Sequence, residues 1–408
     1  MSSPIANPAR SIFSLPVLVA ALGYLVDMYD LFLFSIVRVP SLKSLGFTDE
    51  QVLTEGVFLL NLQMAGMLLG GIFWGVLGDK KGRRSVLFGS ILVYSLANLC
   101  NGLVSSLPAY AIARFVAGFG LAGELGLGIT LVVEALPKTI RGYGTTLVAT
   151  MGLLGALMAY GVVQVFSWRA SYIIGGCLGL VLMTLRFRVF ESGMFIALKD
   201  TNVKRGDILM LFNNRERLLR YITSIVIGMP IWFITGIVIT FSPEIGRAMG
   251  LHTVDAGKAV MLCFSSQVLG NIVCGFLSQY WQSRKRVILF CMIGSLVFSS
   301  VLLQVTIPGI QVFYIICACL GFFCGYWTIF ITVAAELFGS NLRATVATTV
   351  PNFVRATVIP LSGIFIYLKG SVGTLNGTFI TGLLTYAVGF VALAYLDETF
   401  KRDMNFTE

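Results

Sequence analysis

The sequence predicts an all-α membrane protein: twelve transmembrane helices in two pseudo-symmetric six-helix bundles. Three observations predict it. The 408 residues are 57% hydrophobic and only 12% charged, with a mean hydropathy of +0.87, whereas about a quarter of a soluble globule is charged. Twelve apolar runs of about the 20 residues that a bilayer-crossing helix needs can be drawn between charged or Pro/Gly-bearing breaks. The second half of the chain also repeats features of the first.

The runs are 15–38, 53–77, 85–105, 107–134, 143–166 and 170–190, then 218–242, 257–281, 287–306, 309–337, 344–368 and 372–396. Arg10 precedes the first run, and Arg38, Pro40 and Lys43 close it. The second and third flank a basic loop, and Pro108 opens the fourth, which closes on Glu134. Arg141 opens the fifth, Trp168 and Arg169 separate it from the sixth, and Arg186 and Arg188 close the sixth. The connection 191–217 mixes charge with the apolar stretch Ile208, Leu209, Met210, Leu211 and Phe212. It reads as an interfacial linker between an N-terminal bundle, 1–190, and a C-terminal bundle, 218–408. Pro243 closes the seventh run, Lys258 opens the eighth, and Arg284, Lys285 and Arg286 open the ninth. Pro308 precedes the tenth, Arg343 precedes the eleventh, and Lys369 divides the last two.

Lys and Arg collect on the cytoplasmic side of short connections. By this map 21 of the 29 fall on one side and six on the other, so both termini are expected in the cytoplasm, with the chain in the inner or plasma membrane. The net charge of +10 is then topology, not a nucleic-acid patch. Expected partners are membrane lipids, a small solute and protons, around a monomer. With Pro4, Pro8 and a single Arg10, the N-terminus lacks a signal peptide, and the first run is expected to be retained.

A single His, His252, removes most imidazole chemistry. The eight cysteines lie in apolar runs without paired CxxC spacing, so no metal site is expected. Ala256, Gly257, Lys258 and Ala259 lack the hydroxyl and the upstream Gly of a phosphate loop, which argues against an ATP-driven pump. No nucleophile and base pair is visible. The chain reads as a non-enzyme without a cofactor.

The repeat is concrete. Glu134 and Arg141, seven residues apart, are echoed by Glu336 and Arg343, and the loop 78–84 by Arg284, Lys285 and Arg286. Gln279 stands in the second half where Asp79 stands in the first, so a charged latch is expected to be weaker there.

The loop 75–84, with the spacing G-x-x-x-D-[RK]-x-G-R-[RK], resembles the signature loop of the major facilitator superfamily. The repeat extends that resemblance over nearly the whole chain. The resemblance implies two halves that rock about a central cavity, and a cytoplasmic latch built from Gly75, Asp79, Gly82 and Arg83. Glu134, Arg141, Glu336 and Arg343 are gate or latch candidates at helix ends. The glycines suit a tight turn and close helix approach, and Asp79 can sit at a helix N-terminus or pair with Arg141.

In the first run, Asp27 and Asp30 are three apart and share a helix face. A carboxylate in hydrocarbon costs several kcal/mol, so the pair should face a cavity or a partner. Burial disfavours the charged form, which suits proton coupling. The pattern D-x-Y-D-L-F resembles the first helix of phosphate:proton and metabolite:proton symporters. The corresponding stretch of the second half, 228–240, holds Trp232 and Thr235 but no acid, so proton handling is expected in the first half.

In the fourth run, Arg114, Gly118, Gly120, Gly123 and Glu124 form an R-x-x-x-G-x-G-x-x-G-E pattern that resembles the same branches. At about 1.5 Å per residue, Arg114, Asp30 and Asp27 lie roughly 10, 12 and 16 Å from the outer end. A span-one carboxylate is therefore expected to pair with Arg114, as a proton switch or as a permanent structural pair. Glu124 is a second coupling candidate. Arg355 lies roughly 18 Å beyond Arg343, near the midplane, where it can meet a substrate anion or an intramembrane acid such as Glu124. Tyr29, Gln63, Trp232, Gln267, Asn271, Tyr326, Trp327 and Asn352 are the other candidate substrate contacts.

The favoured reading is proton-coupled import of a small polar, anionic or zwitterionic metabolite, with the proton gradient as energy source. Proton-driven efflux of amphipathic compounds and solute sensing without transport are the alternatives.

Overall fold

The structure, a computed structural model, describes residues 13–81, 83–124, 126, 128, 132, 136, 141–186, 208–339 and 342–400. It is all-α. The first half contains α1 (Leu15–Ser44), α2 (Asp49–Lys81), α3 (Arg83–Leu103), α4 (Leu107–Leu121), α5 (Arg141–Val165) and α6 (Trp168–Arg186). In the second half, α7 (Arg215–Ile239), α8 (Ala256–Tyr280), α9 (Arg284–Gln304) and α10 (Ile310–Glu336) follow. A short helix, Ser242–Ala248, caps α7. The helix Arg343–Ala356 runs on past Thr357 into Val358–Tyr395, which Gly373 (φ 84) breaks. The part before Gly373 is α11 and residues 374–395 are α12. Gly373 matters because its left-handed φ is one that other residues adopt only at a cost.

Side-chain caps fix several starts by satisfying orphan backbone N–H groups. Asn214 accepts from the Glu216 N–H at the start of α7 (2.8 Å), and Asp255 from the Lys258 N–H at the start of α8 (2.6 Å). Ser283 does the same for α9.

The helix ends fall within a few residues of the apolar runs, apart from the fourth, whose far end lies largely outside the described residues, and with one informative exception. The first run was expected to stop at Arg38, whereas α1 continues to Ser44 with Pro40 inside it. Arg38 is 0% exposed. It is a buried contact to the second half, not a loop anchor. The linker expected at 191–217 lies mostly outside the described residues; its described end forms a 3-10 turn, Ile208–Leu211, with Leu211 buried.

Within the first half α1 packs on α5 and α6, and α2 on α4; in the second half α8 packs on α10 and α9 on α12. The halves meet where α2 touches α11 and α8 touches α5 and α1. Glycines set the closest approaches. A Cβ on Gly66 of α2 would collide with the Phe115 carbonyl of α4, and one on Gly118 with the Gln63 carbonyl. In the second half Gly270 and Gly321 stand against the Phe322 and Cys263 carbonyls, between α8 and α10, repeating Gly70 against the Phe119 carbonyl and Gly118 against the Gln63 carbonyl.

Candidate functional site

A small cavity of about 20 Å³ lies between the halves, room for about one water. Its walls are Met28 and Phe32 of α1, Leu153 of α5, Ile231, Trp232 and Thr235 of α7, Phe264 and Gln267 of α8, Trp327 of α10 and Arg355 of α11. Two of these helices lose regularity at the wall. α7 passes into a π-helix at Ile234–Ile239, just after Trp232, and α10 tightens into a 3-10 turn at Cys324–Tyr326, just before Trp327. Such departures re-aim side chains and are frequent at functional sites.

Arg355, 1% exposed, is the cation of the site. Its Nη2 lies 4.0 Å from Asp27 Oδ2, so α1 and α11 are tied across the interface by a buried ion pair. Its Nη1 donates to Asn352 Oδ1 at 3.3 Å, and its guanidinium sits 5.9 Å from the Trp232 ring centroid. Tyr24, one turn before Asp27, has Arg355, Asp27 and Trp327 as polar neighbours.

The expected pairing of Arg114 with a span-one carboxylate takes a different form. Because α4 packs behind α2, Arg114 is held inside the first bundle. It donates to Gln63 Oε1 and, at 3.4 Å, to the Tyr172 hydroxyl, and lies 4.5 Å from the Phe34 ring centroid. Asp30 is buried, with Arg114 and Asn98 as its polar neighbours. Gly175 of α6 leaves the space that this carboxylate fills. Nor does Glu124 meet Arg355: it accepts from Ser90 Oγ at 2.9 Å. The described acid that Arg355 meets is Asp27.

Among the other expected contacts, Trp232, Gln267 and Trp327 line the cavity and Asn352 supports Arg355. Four stand elsewhere. Tyr29 donates to the Ser171 carbonyl at 2.8 Å, and Tyr326 to the Ile227 carbonyl at 3.0 Å. Gln63 is engaged by Arg114, and Asn271 accepts from Thr328 at 3.3 Å. Sequence reading missed Phe32 and Phe264, since one Phe in an apolar helix looks like another. It also missed Tyr24, whose spacing three residues before Asp27 places both on one face.

Of the latch candidates, Gly82 and Glu134 lie outside the described residues, as do the side chains of Asp79, Arg83, Arg141 and Arg343. A Cβ built on Gly75 would meet the methyl groups of Thr348 and Thr349 of α11 at 3.8 Å. Glu336 pairs with Arg284 at 3.4 Å and accepts from Thr399 Oγ1 at 2.6 Å. A charge pair therefore exists in the second half despite Gln279, supplied by the first turn of α9. Next to it, partial burial raises the Glu398 pKa, but this is outweighed by hydrogen bonds from the Ser283 hydroxyl and the N–H groups of Arg284, Phe400 and Lys285, which hold it below the usual value.

At the opposite end, Arg38 clasps the second half: Nη2 lies 2.8 Å from Glu244 Oε2 and donates to the Thr240 carbonyl at 3.3 Å. Its Nη1 donates to the Val52 carbonyl at 3.1 Å. Ser35 and Thr240 share a hydrogen bond of 3.0 Å beside it.

Compared with known proteins, residues 20–358 match the family model described as Major Facilitator Superfamily. The chain is 25% identical over 388 residues to the putative niacin/nicotinamide transporter NiaP of Bacillus subtilis, covering 92% of each. It is 24% identical over 398 residues to the cis,cis-muconate transport protein of Acinetobacter baylyi, covering 93% of this chain and 94% of that one. The niacin transporter NiaP of A. baylyi is 30% identical over 178 residues, 43% of this chain and 40% of that protein. Among solved structures, the proton:xylose symporter XylE of E. coli superposes with a TM-score of 0.74 at 15% identity, covering 98% of each chain.

Proposed function

The chain belongs to the Major Facilitator Superfamily of transporters, and from that premise we propose that it imports a small anionic or zwitterionic metabolite together with protons, by rocking two bundles about the central cavity. The bundles are taken as 1–190 and 218–408, joined by the linker 191–217. The orientation that goes with this reading sets the Arg284 end and both termini in the cytoplasm and the Arg38 end outside, in the inner or plasma membrane. The chain works as a monomer, with the proton gradient as energy source and no nucleic-acid partner.

The observation that carries the reading is the Asp27–Arg355 pair, buried at the cavity and contributed by opposite halves. Buried charges of this kind are tolerated while each neutralises the other. A substrate anion entering the cavity takes the place of Asp27 on Arg355. Asp27 is then left in an apolar setting where its ionised form is disfavoured, and it takes up a proton. Release of the substrate on the other side restores the ion pair and frees the proton. Asp30, one turn along α1, and Glu124 are further proton-holding positions in the first bundle, with Arg114 placed to bias Asp30. The latch role of the 75–84 loop and of Arg141, Glu336 and Arg343 is part of the same proposal.

Similarity to niacin and muconate transporters supports a small organic substrate. In proteoliposomes, a transported solute is expected to drive proton influx with the wild type, none with Asp27→Asn, and slower influx with Asp30→Asn. A solute that binds by thermal shift and is taken up without proton movement would sink the coupling.

A further inference from the structure

We infer that the cavity takes a flat, conjugated monocarboxylate whose ring carries a second polar group, a substrate class that rests on the anion-import reading above. The walls supply the shape. Phe32 of the first half and Trp232 of the second present nearly parallel rings, 14° apart in plane with centroids 6.2 Å apart. At that centroid spacing the two rings fall within the range of an offset stack, so the slot between them admits a planar body when rocking of the halves parts the pair. Phe264 closes against Phe32 at 4.0 Å and Trp327 stands edge-on to Trp232 at 6.5 Å, so the slot has aromatic sides as well as aromatic faces.

The unpaired polar atoms supply the chemistry. Buried polar groups normally find partners, and each exception asks for a reason. Besides Arg355, whose Nε and Nη2 are left for the carboxylate, two wall residues have such an exception among the described residues: the indole N–H of Trp232 and the carbonyl oxygen of Gln267. Gln267 borders the cavity. Its amide end is fixed by donation to the Cys324 carbonyl at 3.3 Å, which settles which atom is left over. A substrate hydroxyl, donor and acceptor at once, matches both orphaned groups. A polyhydroxylated acid brings more hydroxyls than the lining can partner: the remaining lining hydroxyl, Thr235, has its hydrogen committed to the Ile231 carbonyl at 2.9 Å and is left only to accept.

The test is equilibrium binding to the purified full chain, read by tryptophan fluorescence, with benzoate, 4-hydroxybenzoate, cyclohexanecarboxylate and D-glucuronate as probes. Benzoate is expected to bind about tenfold more tightly than cyclohexanecarboxylate, since both slot faces favour a ring with a π surface. The hydroxyl of 4-hydroxybenzoate is expected to add about fivefold, an advantage lost in Gln267→Met and Trp232→Phe. Arg355→Gln is expected to abolish binding of every probe, with Arg355→Lys as a variant that keeps the charge and the fold. If cyclohexanecarboxylate or glucuronate binds as tightly as benzoate while Arg355→Gln still abolishes binding, the flat-ring class falls and anion import stands. If benzoate binding survives Arg355→Gln unchanged, the anion reading falls with it.

Discussion

Asp27 and Arg355 each hold a charge that the opposite half of the molecule balances. Removing one member of a buried pair strands the other, which typically costs about 3–5 kcal/mol, whereas replacing both together is often close to neutral. The 4.0 Å separation argues for the lower part of that range. Arg355→Gln is therefore expected to lower the thermal unfolding temperature in detergent, and the double variant with Asp27→Asn to recover most of the loss. Additive single effects would contradict the pairing. Both charges were legible in the sequence, because a charge inside an apolar run stands out. Their partnership was not. Depth along a helix can be counted from residue numbers, but the direction a side chain faces around the bundle is set by which helices pack together. That is why Arg114, at a suitable depth, turns out to engage Gln63 and Tyr172 instead.

At the level of helices, hydropathy located nearly every span, since bilayer thickness fixes their length. It erred at α1 because Arg38, Pro40 and Lys43 look like a loop when the acid that meets Arg38 is Glu244, far along the chain. Hydropathy also gave no sign of the π-helical segment in α7, which depends on local packing around Trp232. The repeat was more deeply written than the loop motifs revealed: the carbonyl-facing glycines Gly70 and Gly118 recur as Gly270 and Gly321. Adding a methyl group at these contacts forces helices apart, a type of overpacking that costs about 1–3 kcal/mol. Gly70→Ala and Gly270→Ala are expected to destabilise the protein comparably. Gly161→Ala and Gly275→Ala, where a Cβ meets nothing within 4 Å, should leave the unfolding temperature unchanged or slightly raised. Equal losses at all four positions would remove the close-approach argument.

For the whole molecule, the halves touch at both ends of the cavity. Arg38 and Glu244 close one end, and on the other side Asn352 of α11 donates to the Ala122 carbonyl at 2.9 Å while Thr348 and Thr349 approach Gly75. Opening at the Arg38 end must break a charge-assisted hydrogen bond, worth about 1.5–3 kcal/mol. Glu244→Gln is therefore expected to raise the population open at that end about tenfold. A cysteine in place of buried Ser35 would report it, reacting faster with a membrane-impermeant maleimide in the Glu244→Gln background. An unchanged rate would mean that Arg38 is structural support and not a gate.

The ion pair has a last consequence, for energetics across the membrane. When a carboxylate of the substrate stands in for that of a protonated Asp27, the loaded cavity carries the same net charge as the empty one. The membrane voltage, worth about 2.3 kcal/mol per elementary charge per 100 mV, then has no purchase on either reorientation. Accumulation of a monoanion should follow the pH difference alone, and clamping the voltage with valinomycin and potassium at fixed pH should neither speed nor slow uptake. A steady current during uptake would show that the cavity gains or loses a charge each cycle.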